Sequence, residues 1–184
     1  KYMEYAHNML QIVGYFISSC IRRRNLLMQL ENMSYKDALT KLGNRFLVEK
    51  FVKRLDKNKC IGAVYCDITG LKNVNDTQGH EAGDKLILRA SDCLKKIFSD
   101  YGIFRIGGDE FLVLCPEITE DDLYKKTEQL KECSKKSNSL MAVGAAWREN
   151  FYEGLGKLLT ESEHNMYIDK SEYYRKAGIE RRKF

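Results

Sequence analysis

The feature that most constrains this chain is a pair of short apolar runs, Ile103–Ile106 and Phe111–Cys115, separated by Gly107-Gly108-Asp109-Glu110. Two β-prone runs this close, with adjacent glycines between them, read as a hairpin. Around the hairpin the pattern alternates. Cys60 to Cys66 is a short apolar run with β-branched and aromatic members, hence a buried strand, while Leu86, Ile87, Ala90, Cys93, Leu94 and Ile97 recur at helical spacing. Gly43-Asn44 reads as a turn ending in an N-cap, and Arg45 to Leu55 as the helix it starts. Thr119 to Lys135 follows as a charged helix, Leu140 to Trp147 as a strand and Leu155 to Asp169 as a final helix. The order strand–helix–strand–strand–helix–strand–helix predicts an α/β (α+β) sandwich of the ferredoxin-like kind with a central mixed sheet.

A length of 184 residues holds one such domain and one further element. The further element is residues 1–34, which read as one long helix. Met9, Val13, Phe16, Cys20, Leu27 and Leu30 fall at heptad spacing, with only Arg23 breaking the stripe. Such a stripe suits a second copy of the helix or an upstream domain of the same protein. Met9 to Ile21 is apolar-rich and runs into Arg22-Arg23-Arg24, but it is shorter than the roughly 20 apolar residues that span a bilayer. His7, Gln11, Gly14, Ser18 and Arg22 share one helical face, so an amphipathic helix with no membrane contact is expected. The chain opens on Lys1 and not on Met, so it is expected to be a piece of a longer protein. Residues 35–184 would form the catalytic-sized domain.

The formal charge of +5 is scattered. Its clusters, Arg22-Arg23-Arg24 and Arg181-Arg182-Lys183, lack interleaved aromatic residues for base stacking, which argues for solvated faces and against a nucleic-acid partner. The six cysteines form no C-x-x-C pair and mostly lie in apolar runs, which suits reduced thiols in a cytoplasmic protein.

The chemistry gathers at strand ends. Asp67 ends an otherwise apolar strand, which places its carboxylate at the rim where open α/β sheets bind ligands. If that strand pairs with the hairpin, Asp67 meets Asp109 there. Two carboxylates with no arginine beside them repel unless a cation sits between, and an all-oxygen set suits magnesium or manganese. Gly107 and Gly108 let the backbone come close to a bulky anion and expose N–H groups to it. Carboxylates, a hard cation and a bare glycine turn together describe a nucleoside triphosphate site. In the polar stretch from Leu71 to Asp84, a carboxylate at Asp84 suits guanine, which offers two adjacent N–H donors. Adenine would leave it facing a lone pair, at a cost of roughly 1–3 kcal/mol.

Three ordered blocks then carry a family resemblance. Ile106-Gly107-Gly108-Asp109-Glu110-Phe111 resembles the signature of the GGDEF family of bacterial diguanylate cyclases. Asp37-Ala38-Leu39-Thr40-Lys41-Leu42-Gly43-Asn44-Arg45 resembles that family's opening D-x-L-T-x-L-x-N-R block. Asp67-Ile68-Thr69-Gly70-Leu71-Lys72, with Asn75-Asp76, Gly79-His80 and Gly83-Asp84, resembles its central block. The resemblance implies a magnesium-dependent (or manganese-dependent) enzyme that condenses two GTP into cyclic di-GMP across a homodimer. By position, Asp67 and Asp109 would hold the metal with the Ile68 carbonyl, and Glu110 would assist deprotonation of the attacking 3′-hydroxyl. Asn75 and Asp84 would bind guanine. Gly70, Leu71, Lys72, Gly107 and Gly108 would bind the phosphates.

Met166-Tyr167-Ile168-Asp169-Lys170 is similar to the family's late A-L-Y-x-A-K segment, whose lysine, here Lys170, reaches the terminal phosphates. The G-R-N that follows in the family is replaced by Tyr173-Tyr174-Arg175, with Arg175 one residue late as the stand-in arginine. Thr69 stands at a commonly acidic position and is expected to be tolerated, because it is not a metal ligand. The product-binding R-x-x-D motif of many members would fall on Phe98 and Tyr101, which cannot supply it. Intact Asp67, Asp109 and Glu110 argue against a binding-only domain. The first helix resembles the last helix of a GAF sensor domain with its linker, implying regulation from upstream.

Overall fold

A computed structural model describes residues 2–33 and 35–176, in two units divided after Tyr35. The first unit is α1 (Tyr2–Met33), a single helix of 32 residues. Its side chains are described over residues 9–24, and all of these are exposed. Met9, Val13, Phe16 and Cys20 of the heptad stripe are among them, whereas Leu27 and Leu30 lie outside the described side chains. Leu10, Ile12, Tyr15 and Ile17 are exposed as well, so apolar surface extends beyond the stripe. No helix among the described residues is long and apolar enough to cross a membrane.

The second unit runs in the order β1 (Gly43–Asn44), α2 (Arg45–Val52), β2 (Ile61–Ile68), α3 (Leu71–Gln78), α4 (His80–Ile97), β3 (Gly102–Arg105), β4 (Glu110–Pro116), α5 (Glu120–Lys136), β5 (Met141–Arg148) and α6 (Gly156–Lys176). The strands form one sheet in the order β1-β3-β4-β2-β5. β2 lies between β4 and β5 and is antiparallel to both, and β1 is parallel to β3, so the sheet is mixed as the alternation predicts.

Side chains on a strand alternate between faces, and this divides the core in two. Val64, Cys66, Ile68, Phe111, Val113, Cys115, Val143 and Ala145 pack with Leu86, Ile87, Ala90 and Leu94 of α4 and with Leu123 and Leu130 of α5. Ile61, Ala63, Phe104, Leu112, Leu114 and Ala146 pack on the other face with Leu155 and Leu158 and with Leu47, Val48 and Phe51 of α2. Gly144 is a close-approach position: a Cβ there would lie 2.0 Å from the backbone nitrogen of Met166, so α6 lies directly on β5.

Several boundaries move. Asn44 does cap α2, accepting from the Phe46 and Leu47 amides at 3.1 and 3.2 Å, yet Gly43-Asn44 is also a short strand and not only a turn. α2 ends at Val52 and α6 continues to Lys176, beyond Asp169. The polar stretch after β2, to which the sequence reading gives no element, begins with α3, separated from α4 by Gly79 alone. Its apolar content is only Leu71 and Val74, both partly buried, too little to register as a helical stripe. The cysteines are all free; Cys66, Cys93 and Cys115 are buried, Cys60 and Cys133 intermediate, and Cys20 exposed. Burial pushes the Cys66 and Cys115 thiols up, so they are inert in that core.

Candidate active site

Asp67 is the penultimate residue of β2, one position past the expected end of the apolar run. It is 5% exposed and lies on the same face as Ala63, opposite Glu110 of β4 in the antiparallel register. The next ladder contact is the Ile68 amide donating to the Asp109 carbonyl at 3.0 Å. β2 and the hairpin therefore bring Asp67, Ile68, Asp109 and Glu110 to one rim. Burial comes first among the influences on Glu110, followed by the charges of Asp109, Asp67 and Glu163; together they push its carboxyl above the usual range, with Lys170 opposing.

The two carboxylates were expected to lack a neutralising arginine and to need a cation between them; in the structure a lysine, Lys170, expected only at the terminal phosphates, sits on Asp67. Its ammonium donates to Asp67 Oδ2 at 2.6 Å, with side chains only 16% and 8% exposed. The position is set by α6. The neighbouring Asp169 accepts from the Val143 amide and from Lys131 Nζ, both at 2.9 Å, and Asn165 Nδ2 donates to the Ala145 carbonyl at 2.9 Å. β5 is an edge strand, so these two side chains satisfy backbone groups that no sixth strand covers. Asp169 stands where the family pattern has alanine; that departure was the available sequence signal, and its edge-capping role was not read from it.

The glycine turn is held from outside. Arg105 Nη1 donates to both carboxylate oxygens of Asp37, at 3.1 and 3.2 Å, and its Nε and Nη2 donate to the Gly108 carbonyl at 3.2 and 2.7 Å. Asp37 also accepts from the Thr40 amide and hydroxyl, both at 2.7 Å. Neither Asp37 nor Arg105 is a site residue in the sequence reading, although Asp37 opens one recognised block and Arg105 immediately precedes another. A Cβ on Gly107 would meet Glu110 Oε2 at 2.5 Å, whereas one on Gly108 would meet nothing within 4 Å. The turn thus presents open space beside Asp109.

After β2, Thr69 is buried and donates both its amide and its hydroxyl to the Leu140 carbonyl at 2.9 Å, a clasp that an acidic side chain could not duplicate. Gly70 follows at φ +80°, a left-handed conformation that favours glycine. No side chain caps α3, so the amides of Leu71 and Lys72 open its N-terminus toward an anion. Asn75 lies against α4: a Cβ on Gly83 would be 1.9 Å from Asn75 Oδ1. Asn75 is thereby placed beside Gly83 and its neighbour Asp84, which is exposed. Arg175 is exposed near the end of α6. Five residues beyond Lys170, it is turned about 140° from it around the helix, so the fold does not bring the two together.

The donor set fits a hard divalent cation. Asp67, Asp109 and the Ile68 carbonyl offer oxygen alone, and the Lys170 ammonium already marks Asp67 Oδ2 as a cation position. Among the described residues, no group of three or more His, Cys, Asp and Glu side chains could hold a metal. The rim carboxylates therefore suit an ion that shares its remaining positions with phosphate oxygens and water.

Phe98 and Tyr101 form an aromatic block. Phe98 is fully buried, the rings meet edge to face at 6.3 Å, and Lys126 Nζ lies 5.9 and 5.7 Å from their centroids. Phe98 is therefore a core residue, packed with the α4 cluster.

Comparison with known proteins bears on the fold and the family. A protein of Staphylococcus epidermidis named as an uncharacterized membrane protein is 30% identical over 167 residues, 86% of this chain and 47% of its own length. The chain spans between about a third and a half of the curated relatives it matches. The coiled coil and GGDEF domain of DgcB from Caulobacter crescentus, in complex with c-di-GMP, matches at a TM-score of 0.67 and 21% identity, covering 87% of this chain and 93% of that one. Diguanylate cyclase SiaD of Pseudomonas aeruginosa, in complex with its activator SiaC, matches at 0.67 and 19%, covering 93% and 71%. Residues 34–174 match the family profile described as diguanylate cyclase, GGDEF domain, and the chain belongs to that family.

Proposed function

We propose that this domain is a diguanylate cyclase that joins two GTP molecules into cyclic di-GMP and releases two pyrophosphates. The observation that carries the reading is the convergence of Asp67, Asp109 and Glu110 at one rim beside the open Gly108 turn.

Asp67, Asp109 and the Ile68 carbonyl would hold magnesium or manganese, which when bound polarises the phosphoryl group and eases deprotonation of the hydroxyl. The amides of Gly70 and Leu71, the Gly107-Gly108 turn and the ammonium groups of Lys72 and Lys170 bind the triphosphate. Asn75 and Asp84 hold the guanine edge. Glu110, with its raised proton affinity, takes the proton of the attacking 3′-hydroxyl. Arg175 supplies positive charge from another side of α6, with a smaller share of phosphate binding than Lys170.

One domain holds one GTP, and the attacking hydroxyl belongs to the GTP of a second domain, so turnover needs a two-fold dimer. The exposed apolar residues of α1 supply a helical surface for that pairing, as the coiled coil in the DgcB structure's name suggests. The same helix carries regulation from an upstream segment, resembling the end of a GAF domain. The domain works in the cytoplasm, where GTP is held, with attachment of the longer protein to a membrane left to segments outside this chain.

Incubation with GTP and magnesium followed by chromatography tests the reading. Cyclic di-GMP and pyrophosphate are expected. GTP binding without turnover would instead mark a sensor domain.

A further inference from the structure

Resting on that reading, we infer that Lys170 is an internal counter-ion that gives up Asp67 to the metal only when nucleotide arrives. In the free protein its ammonium holds the carboxylate oxygen on which the ion is to sit. As metal and GTP enter together, the side chain moves to the triphosphate oxygens, and one cation replaces another on Asp67.

Three observations support the exchange. The contact is short, at 2.6 Å, and both side chains are largely shielded from water, so the ammonium and a divalent ion compete for the same oxygen. The rim is crowded with negative charge: Glu110 lies directly across the ladder from Asp67 on the same face, and Asp109 precedes it in the turn. Like charges so placed raise the cost of leaving Asp67 without a cation. Finally, the exchange needs no movement of the helix. Asp169, one residue before Lys170, is fixed to the Val143 amide and to Lys131, and Asn165 is fixed to the Ala145 carbonyl. Gly144 lets the α6 backbone rest on the strand. Lysine's flexible four-carbon stem is then the moving part, swinging from a fixed base.

The consequence is ordered loading. The empty site holds divalent cations weakly, because the ammonium must first be displaced with nowhere better to go. Triphosphate oxygens provide that alternative, so metal affinity rises when nucleotide is present. Lys170 thereby has two partners in turn, the aspartate in the free state and phosphate in the loaded state.

The test is Mn²⁺ binding without nucleotide, followed by the loss of the free-ion electron paramagnetic resonance signal. Lys170→Met should bind Mn²⁺ on the order of tenfold tighter than the unaltered protein, since a nearby like charge shifts ionic equilibria by about one to three powers of ten. Lys170→Arg, which keeps the positive charge, should stay as weak as the unaltered protein. The Met variant should also melt lower than the unaltered protein in metal-free buffer and recover with Mn²⁺. Lys170→Gln serves if the Met variant does not fold. Equal or weaker Mn²⁺ binding by the charge-free variants would overturn the exchange. Calorimetry of the unaltered protein with GTP and Mn²⁺ separates the two levels. GTP binding with unchanged variant affinities removes the exchange alone, whereas no GTP binding removes the underlying reading with it.

Discussion

Arg105 and Asp37 join the start of the GGDEF domain to its glycine turn: the guanidinium spans both carboxylate oxygens of Asp37 and, from its other nitrogens, the carbonyl of Gly108. The pair is 13% and 20% exposed, so water screens it weakly. The link connects 68 positions of sequence and ends on the turn that carries Asp109.

Asp37→Ala should therefore lower stability by about 2 kcal/mol, the range of charge-assisted hydrogen bonds. In a domain of this size that is roughly 4–8 °C in melting temperature. Its pH dependence has a definite sign. Burial would raise the Asp37 carboxyl, but the bonds from Thr40 and Arg105 outweigh it and hold the group below the usual carboxylate range. A depressed folded value contributes stability that is complete above the unfolded value and is lost as pH falls through the folded one. The gap between the unaltered protein and the variant should stay constant from neutral pH down to about 5 and close only below about 4. A gap that already closes between pH 7 and 5 would assign the stabilisation to another group.

Asp109→Ala should abolish cyclic di-GMP formation while leaving the melting temperature, without ligand, unchanged or raised. The reason is electrostatic: Asp109 is the foremost of the charges that press on Glu110. Differential scanning fluorimetry beside a product assay decides this, and an unfolded or fully active variant would be the contrary result.

Much of this site was legible in the sequence because chemistry and periodicity coincide there. Asp67 and the hairpin announce themselves as acidic groups on apolar strands, and the rim follows from pairing. α3 was not legible, because a helix held mainly by Leu71 and Val74 has no stripe to detect. The Lys170–Asp67 contact was not legible either, since it joins residues 103 positions apart through the course of α6. That course depends on Gly144 and on two polar side chains capping an edge strand. None of these has a periodic signature.

Asp84 should set guanine selectivity. Asn75 is held beside its neighbour Gly83, which leaves Asp84 as the carboxylate for two guanine donors. Asp84→Ser should let ATP compete with GTP, the lost discrimination being roughly one to two decades for a penalty of about 1–3 kcal/mol. Competition assays with both nucleotides measure it. Equal use of ATP and GTP by the unaltered protein would remove the assignment.

Turnover should depend on enzyme concentration. With one GTP per domain, specific activity at saturating GTP should rise as monomers pair, and removal of residues 1–34 should shift that rise to higher concentration. Sedimentation velocity run alongside activity gives the comparison. Flat specific activity across a range where only monomers sediment would refute the half-site arrangement.

Product feedback should lack a high-affinity component at the Phe98–Tyr101 position. A bidentate grip on guanine and phosphate needs an arginine, and an aromatic ring cannot imitate its planar fork of donors. Phe98 is committed to the core, and Tyr101 packs edge to face against it. Lys126 is the nearby cation, but its ammonium donates to the Ile97 carbonyl at 3.0 Å and lies near both rings, so it closes the C-terminal end of α4 and is not presented to a ligand. Asp100 is exposed one position early and has no arginine partner in an R-x-x-D arrangement. Competition at the active site should remain, because product and substrate carry the same guanine. Initial rates against GTP at several fixed cyclic di-GMP concentrations should show inhibition that excess GTP relieves, with the maximal rate unchanged. A maximal rate lowered by low micromolar product, which GTP does not restore, would place a second product site elsewhere on the domain.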